Sequence, residues 1–202
     1  MGQRTRIFTL DGAARHLCID MQRLFAEATP WQVPWLSRVL PCVQEIATRH
    51  AASTIFTRFV PPRSAGEAIG AWRDYYEAWP DLTREKLAPE LLELVAPLKG
   101  LVPPARQLDK TANSAFSHPG FADALHRRGV TTLVVTGGET DICVLATVMA
   151  AVDYGFRVVL PTDALCSTSD ATHDALLKLY RERFSHQIEA TTTEEVLRRW
   201  SG

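Results

Sequence analysis

Short apolar, β-branched runs alternate along this chain with stretches whose apolar residues recur every three or four positions. Leu17-Cys18-Ile19 is the first run, and it stops at Asp20. Residues 37–50 carry Val39, Leu40, Val43, Ile46 and Ala47 at helical spacing. Pro41 is placed near the first turn of that helix, where its missing N–H costs least. Residues 54–57 are β-branched and aromatic and predict a strand. After the Pro61-Pro62-Arg63 break, Ser64 and Glu67 have the spacing of a capping box. Ile69, Trp72, Tyr76 and Trp79 then share one predicted apolar face, and 89–95 predicts a further helix before the Pro103-Pro104 break.

The second half punctuates itself more clearly. A helix over 119–128 ends at Gly129, which suits a left-handed C-terminal cap. Residues 132–136 form a continuous apolar strand, as expected when helices cover both faces. Gly137-Gly138 breaks it, and a helix over 141–154 stops at Gly155. A strand over 158–160, a helix from Ser169 to about 184, a strand over 187–190 and a last helix capped by Thr193 complete the reading. Alternation of this kind predicts an α/β fold, a mainly parallel sheet with helices on both faces. Sites in such sheets lie outside the carboxyl ends of the strands. That directs attention to Asp20, Arg58, Lys110, residues 137–143 and Asp163.

Composition narrows the chemistry by exclusion. At 202 residues the chain suits one domain over 1–202, and 46% apolar with 22% charged residues is ordinary for a globular protein. A net charge of −1 gives no electrostatic case for nucleic acid or an anionic membrane. No run is long enough for a signal-peptide core or a membrane span, so a cytoplasmic location is expected. The four cysteines (18, 42, 143, 166) form no C-x-x-C pair, which argues against a disulfide scaffold and structural zinc. The six histidines share no metal-ligand spacing, and His118 is read as structural.

Asp20 alone reads equally as a turn carboxylate, and Lys110 alone as a surface charge. Cys143 is more specific. It follows a strand, two glycines and Thr140-Asp141 at a predicted helix start, where backbone N–H groups and a nearby lysine favour a thiolate. It is therefore expected to titrate below an ordinary thiol. The alternative is a buried structural cysteine, a reading that Cys18 and Cys42 fit well. Cys166 is placed in a partly exposed loop.

Together these residues carry a resemblance. Leu17-Cys18-Ile19-Asp20-Met21-Gln22 with Phe25 resembles the opening of the isochorismatase-like cysteine hydrolases. Gly137-Gly138-Glu139-Thr140-Asp141-Ile142-Cys143-Val144 resembles their nucleophile turn. Lys110, with Phe116 six residues on, falls where that family places its lysine, and Gly155 and Asp163-Ala164 match further downstream. The resemblance covers about residues 16–190. It implies a three-layer αβα sandwich of Rossmann-like topology and a triad of Cys143 as nucleophile, Asp20 as proton acceptor and donor, and Lys110 as electrostatic support. It also implies an oxyanion hole on the N–H groups of Glu139 and Cys143. The turn 138–140 with Cys143 would contain a cis peptide between Gly138 and Glu139. The implied reaction is hydrolysis of a small amide, carbamoyl or ureido C–N bond through a thioester, without a cofactor.

Departures from the family sharpen this. The nicotinamidase branch binds a metal through an Asp-x-His pair after its second strand. Here Phe59 and Pro61 occupy those places, and no histidine lies between His50 and His118. No metal is expected, and nicotinamide is disfavoured as substrate. The isochorismatase branch proper cleaves a vinyl ether, typically without this cysteine, and remains the alternative. A silent binding module and a redox thiol protein, with Cys166 resolving an oxidised Cys143, are others. Candidate substrate contacts are Gln22, Phe25, Arg58, Trp72, Tyr76 and Phe116. Arg58 suits either a substrate carboxylate or a structural ion pair. The aromatic segment 72–79 suits either a lid or packing in the core or an interface. The expected partners are a small-molecule substrate and, as in many relatives, further copies of the chain.

Overall fold

The computed structural model describes residues 6–200. Positions 1–5 and 201–202, and so the ends of the single domain expected over 1–202, lie outside the described residues. Seven strands run β1 (Ala14–Ile19), β2 (Thr54–Phe59), β3 (Arg106–Lys110), β4 (Thr132–Gly138), β5 (Arg157–Pro161), β6 (Leu165–Cys166) and β7 (Ile188–Thr191). The helices are α1 (Arg23–Ala26), α2 (Leu36–Arg49), α3 (Ala71–Ala78), α4 (Ala96–Lys99), α5 (Phe121–Arg127), α6 (Leu145–Asp153), α7 (Asp170–Arg183) and α8 (Thr193–Arg199). The sheet order is β3-β2-β1-β4-β5-β7, with β6 paired to the end of β4, and every pairing is parallel.

Side-chain alternation builds the three layers. Leu17, Ile19, Leu133, Val135, Val158 and Leu160 face α5, α6 and α7, through residues such as Leu125, Val148 and Tyr180. Cys18 and Phe56 face α2 and α4 on the other side, where Val134 and Val159 also meet Ile46 and α8. Burying one such aliphatic side chain contributes roughly 1.5–3 kcal/mol. Both faces of the central strands are covered, which explains why 132–136 reads as an unbroken apolar run. The chain starts mid-sheet at β1, builds outward to β3, then returns to place β4 beside β1. The crevice at that reversal is where parallel sheets hold ligands.

Several local expectations need correction. Gly137 and Gly138 do not end β4; they continue it, pairing with Ile19 and Cys166. Cys166 is accordingly a buried strand residue, not part of an exposed loop. Pro41 sits in the second turn of α2 rather than the first. Ser64 makes no side-chain cap, and only a 3-10 turn (Ala65–Glu67) follows it. The Glu67 carboxylate instead accepts from the Arg63 N–H (3.0 Å). Of the predicted apolar face, Tyr76 is buried but Ile69 and Trp79 are exposed. Residues 89–95 form a 3-10 turn (Pro89–Leu92) and then extend. The Arg23 N–H donates to the Glu93 carbonyl and the Val95 N–H to the Met21 carbonyl, so this backbone is committed to the loop after β1. The last helix is capped by Thr192, whose hydroxyl accepts from the Glu195 N–H. Thr193 instead donates twice to Asp163 Oδ1, which fixes Asp163 in a structural role. Among the described residues no helix is long and apolar enough to cross a membrane.

Candidate active site

Three strand ends supply the charged and nucleophilic groups. Asp20 directly follows β1, Lys110 closes β3, and Cys143 lies in one π-helical turn (Thr140–Val144) between β4 and α6. Asp20 has φ +49°, a left-handed conformation that Asp tolerates better than most residues. The Thr57 hydroxyl donates to Asp20 Oδ1 (2.6 Å) and accepts from the Asp20 N–H (3.1 Å). Asp20 Oδ2 lies 2.7 Å from Lys110 Nζ, and both side chains are out of solvent. The carboxylate and the ammonium form a close, buried ion pair. The ammonium donates to the Ala112 carbonyl (3.1 Å) and stands 5.1 Å from the centre of the Phe59 ring.

The Cys143 thiol interacts with both members of this pair. Burial pushes the thiol well up, the Asp20 carboxylate adds to that, and Lys110 pulls it back. This is opposite to the early titration expected from a helix start and a lysine: desolvation and the carboxylate outweigh both. Burial also opposes the charge on Lys110, but Asp20 and Cys143 hold its pKa above the ordinary lysine value. Cys143 thus rests as the thiol and Lys110 as the ammonium. A proton moved from sulfur to Asp20 leaves one anion beside one cation throughout.

The turn that carries Cys143 is fixed by close packing. Gly137 has φ +98°, and a Cβ there would meet the Ile19 carbonyl oxygen at 2.1 Å. A Cβ on Gly138 would meet Cys166 Sγ at 2.6 Å. The Gly138–Glu139 peptide is cis, as the resemblance implied. The Val144 N–H donates to the Glu139 carbonyl (3.0 Å), closing the turn. Its side chains are tied to residues 166–173: Thr140 donates to the Cys166 carbonyl and pairs with His173 Nδ1 (2.9 Å). Asp141 accepts from the Ser167 and Thr172 hydroxyls, and Glu139 from the Thr168 N–H (2.7 Å).

Cys143 opens onto a cavity of about 330 Å³. One side is aromatic: Phe25, Trp31, Phe59, Trp72 and Tyr75. These rings pack on one another, with Trp31 to Phe59 at 5.8 Å and Trp72 to Tyr75 at 5.6 Å between centroids. The other side is Gly138, Glu139, Ile142 and Cys143, with Asn113 completing the lining. Of the candidate contacts, Phe25 and Trp72 line this space. Tyr76 is buried behind it against Trp72 and Trp31. Gln22 is buried with its amide committed to backbone: it accepts from the Phe59 N–H and donates to the Phe59 and Leu92 carbonyls. Phe116 packs elsewhere, on Phe121, Tyr154 and Phe156. Arg58 pairs with Asp109 (2.8 Å) and Glu93 and does not line the cavity. His118 makes a local contact to the Pro119 carbonyl.

A metal does not fit here. Phe59 presents a ring to the cavity and Pro61 offers no side-chain donor. Among the described residues no group of three His, Cys, Asp or Glu side chains is placed to hold an ion. Nothing in the sequence pattern pointed to Trp31, Asn113 or the Thr57 support of Asp20. Only the strand alternation that puts Thr57 and Phe59 on one side could have signalled the last of these.

Comparison with known proteins identifies the family and the fold. The Isochorismatase domain family matches residues 15–193. Nicotinamidase 3 of Arabidopsis thaliana is 28% identical over 176 residues, 86% of this chain and 83% of that protein. Maleamate amidohydrolase of Pseudomonas putida is 27% identical over 145 residues, 72% of this chain and 65% of that protein. The crystal structure of a cysteine hydrolase from Pseudomonas syringae superposes with a TM-score of 0.83 at 24% identity, covering 99% of this chain and 98% of that one.

Proposed function

The chain belongs to the isochorismatase family of hydrolases, and from that membership we propose that it cleaves a small-molecule C–N bond of the amide, carbamoyl or ureido type. One observation carries the finer reading: an acidic, a cationic and a thiol side chain from three separate strand ends meet beside an aromatic cavity, which the thiol-bearing Cys143 lines. Cys143 Sγ attacks the carbonyl carbon while its proton passes to the Asp20 carboxylate, with which the thiol interacts. Lys110 keeps the charge balanced as the proton moves. The N–H groups of Glu139 and Cys143 hold the oxyanion. Asp20 then protonates the leaving nitrogen, and the amine or ammonia departs. Water attacks the thioester, gives its proton to Asp20, and the acid is released as the proton returns to sulfur. No step requires a metal.

Trapping the thioester by rapid quench and mass spectrometry, with a turned-over amide, tests the scheme directly. Cys143→Ala is expected to lower kcat roughly 10⁴-fold or more, and Asp20→Asn roughly 10²–10⁴-fold. A Cys143→Ala protein that keeps its turnover removes the mechanism. Ammonia release from a panel of small amides, carbamoyl compounds and ureido acids supplies the substrate for both assays.

A further inference from the structure

The cavity has a charge character that its triad does not dictate. Among the described residues lining it there is no Lys, Arg or His, and its one ionised side chain besides the nucleophile's own turn chemistry is Glu139. Glu139 has no ion-pair partner among the described residues; it accepts only the Thr168 N–H. Its charge reaches the Tyr75 hydroxyl on the aromatic side.

Two cations lie close in the fold, and both are withheld. Arg58 and Phe59 are consecutive on β2, so their side chains point to opposite faces. The parallel register puts Arg58 beside Asp109 and Phe59 beside Lys110. Arg58 is therefore turned toward Asp109 and Glu93, away from the cavity. Lys110 is on the right side but fully buried: Asp20, Ala112 and the Cys143 thiol take its polar contacts, its ammonium lies against the Phe59 ring, and it does not line the cavity. Gln22 holds the Phe59 peptide on both its N–H and its carbonyl, which fixes the ring in that place.

We propose that Phe59 and Glu139 are specificity determinants that restrict the site to amides with an uncharged, apolar body and exclude those whose body bears a carboxylate. An incoming carboxylate would lose its water against five aromatic rings with no cation to receive it, and would face the Glu139 carboxylate. The inference rests on the amide-hydrolase reading and sets this chain apart from a relative named for maleamate.

The test is a pair of matched comparisons on the full chain. Dissociation constants of 4-methylbenzamide and 4-carboxybenzamide, and of pentanamide and glutaramate, are measured by calorimetry on Cys143→Ala protein, which binds without turnover. The uncharged member of at least one pair is expected to bind about tenfold or more tightly than its acid. In Glu139→Gln/Cys143→Ala protein that ratio narrows at least about threefold. A preference below about tenfold in both pairs, failure of both uncharged amides to bind, or an unchanged ratio in the Glu139 variant overturns the proposal. Ammonia release by native protein is followed in parallel. Binding preference intact with no release of ammonia from any amide overturns the hydrolase reading and leaves the selectivity standing.

Discussion

At the scale of single residues, the Asp20–Lys110 pair is the most consequential contact in the molecule. Two opposite charges held 2.7 Å apart and out of solvent stabilise one another only as a pair. Removing one leaves the other buried and uncompensated, so Lys110→Met is expected to cost about 3–5 kcal/mol of stability. The double variant Asp20→Asn/Lys110→Met is expected to recover much of that loss. Urea unfolding of the two proteins checks it; a double variant no more stable than Lys110→Met would show that the cost is packing and not charge. Asp20 and Cys143 were legible in the sequence because each lies just past an apolar run and strand ends converge in a parallel sheet; Lys110, after Arg106-Gln107-Leu108-Asp109, was legible only through the family resemblance. The aromatic wall was not. Trp31 sits in an irregular loop between prolines, where no periodicity says which way a ring points. Arg58 was legible in principle: it neighbours Phe59 on one strand, so the two cannot share a face, and a choice between them could have been made from alternation alone.

At the scale of elements, the join between β4 and α6 is set by steric fit more than by turn preference. Gly138 is not left-handed; it is glycine because Cys166 Sγ occupies the space a Cβ would need. Gly138→Ala is therefore expected to destabilise by about 1–3 kcal/mol, the range for overpacking a filled site. Cys166→Ala removes the clashing sulfur, so the pair should show a favourable coupling of about 1 kcal/mol or more in a double-mutant cycle. Strict additivity in thermal unfolding would mean that Gly138 is required for some other reason. The same join shows why the two halves of the chain differed in legibility. Beyond residue 119 each helix is long enough to display its period, and Gly129 and Gly155, both with positive φ, mark the stops of α5 and α6. Between residues 60 and 105, α3 apart, the chain makes single turns of helix, with contacts to distant backbone such as that of 93–95 to the loop after β1. Such pairings have no local signature. Cys143 itself was located correctly, but its ionisation was not, because burial beside a carboxylate is a property of the packed sheet and not of the helix start.

At the scale of the whole molecule, a buried histidine ties the stability of the sheet to pH. His16 lies in β1 with no solvent contact, between β2 and β4. The Thr54 hydroxyl donates to the His50 carbonyl (2.9 Å), so it accepts from His16 Nδ1–H (3.1 Å). His16 Nε2 is then the acceptor for the Thr136 hydroxyl (2.8 Å). Both ring nitrogens are satisfied in the neutral form, and three adjacent strands are joined through one ring. Burial, with a smaller contribution from His50, lowers the His16 pKa from 6.5 to about 3. Below pH 6.5 the unfolded chain takes up a proton at this position that the folded chain refuses. The unfolded state binds more protons in that window, so stability falls as pH falls, by up to about 1.4 kcal/mol per pH unit, until the folded state also protonates near pH 3. Above pH 6.5 the position is neutral in both states and contributes no slope. His16→Gln removes the titration while keeping one donor and one acceptor for the two threonines. Unfolding free energies of both proteins from denaturant titrations at pH 7.5, 6.0, 5.0 and 4.5 should therefore diverge in slope by close to one proton below pH 6. The variant's absolute stability does not enter that comparison, nor do His50 and His173, whose own depressed pKa values are common to both proteins. Parallel slopes would mean that His16 takes up its proton equally in the folded and unfolded chains, and that the buried ring between its two threonines is not held neutral.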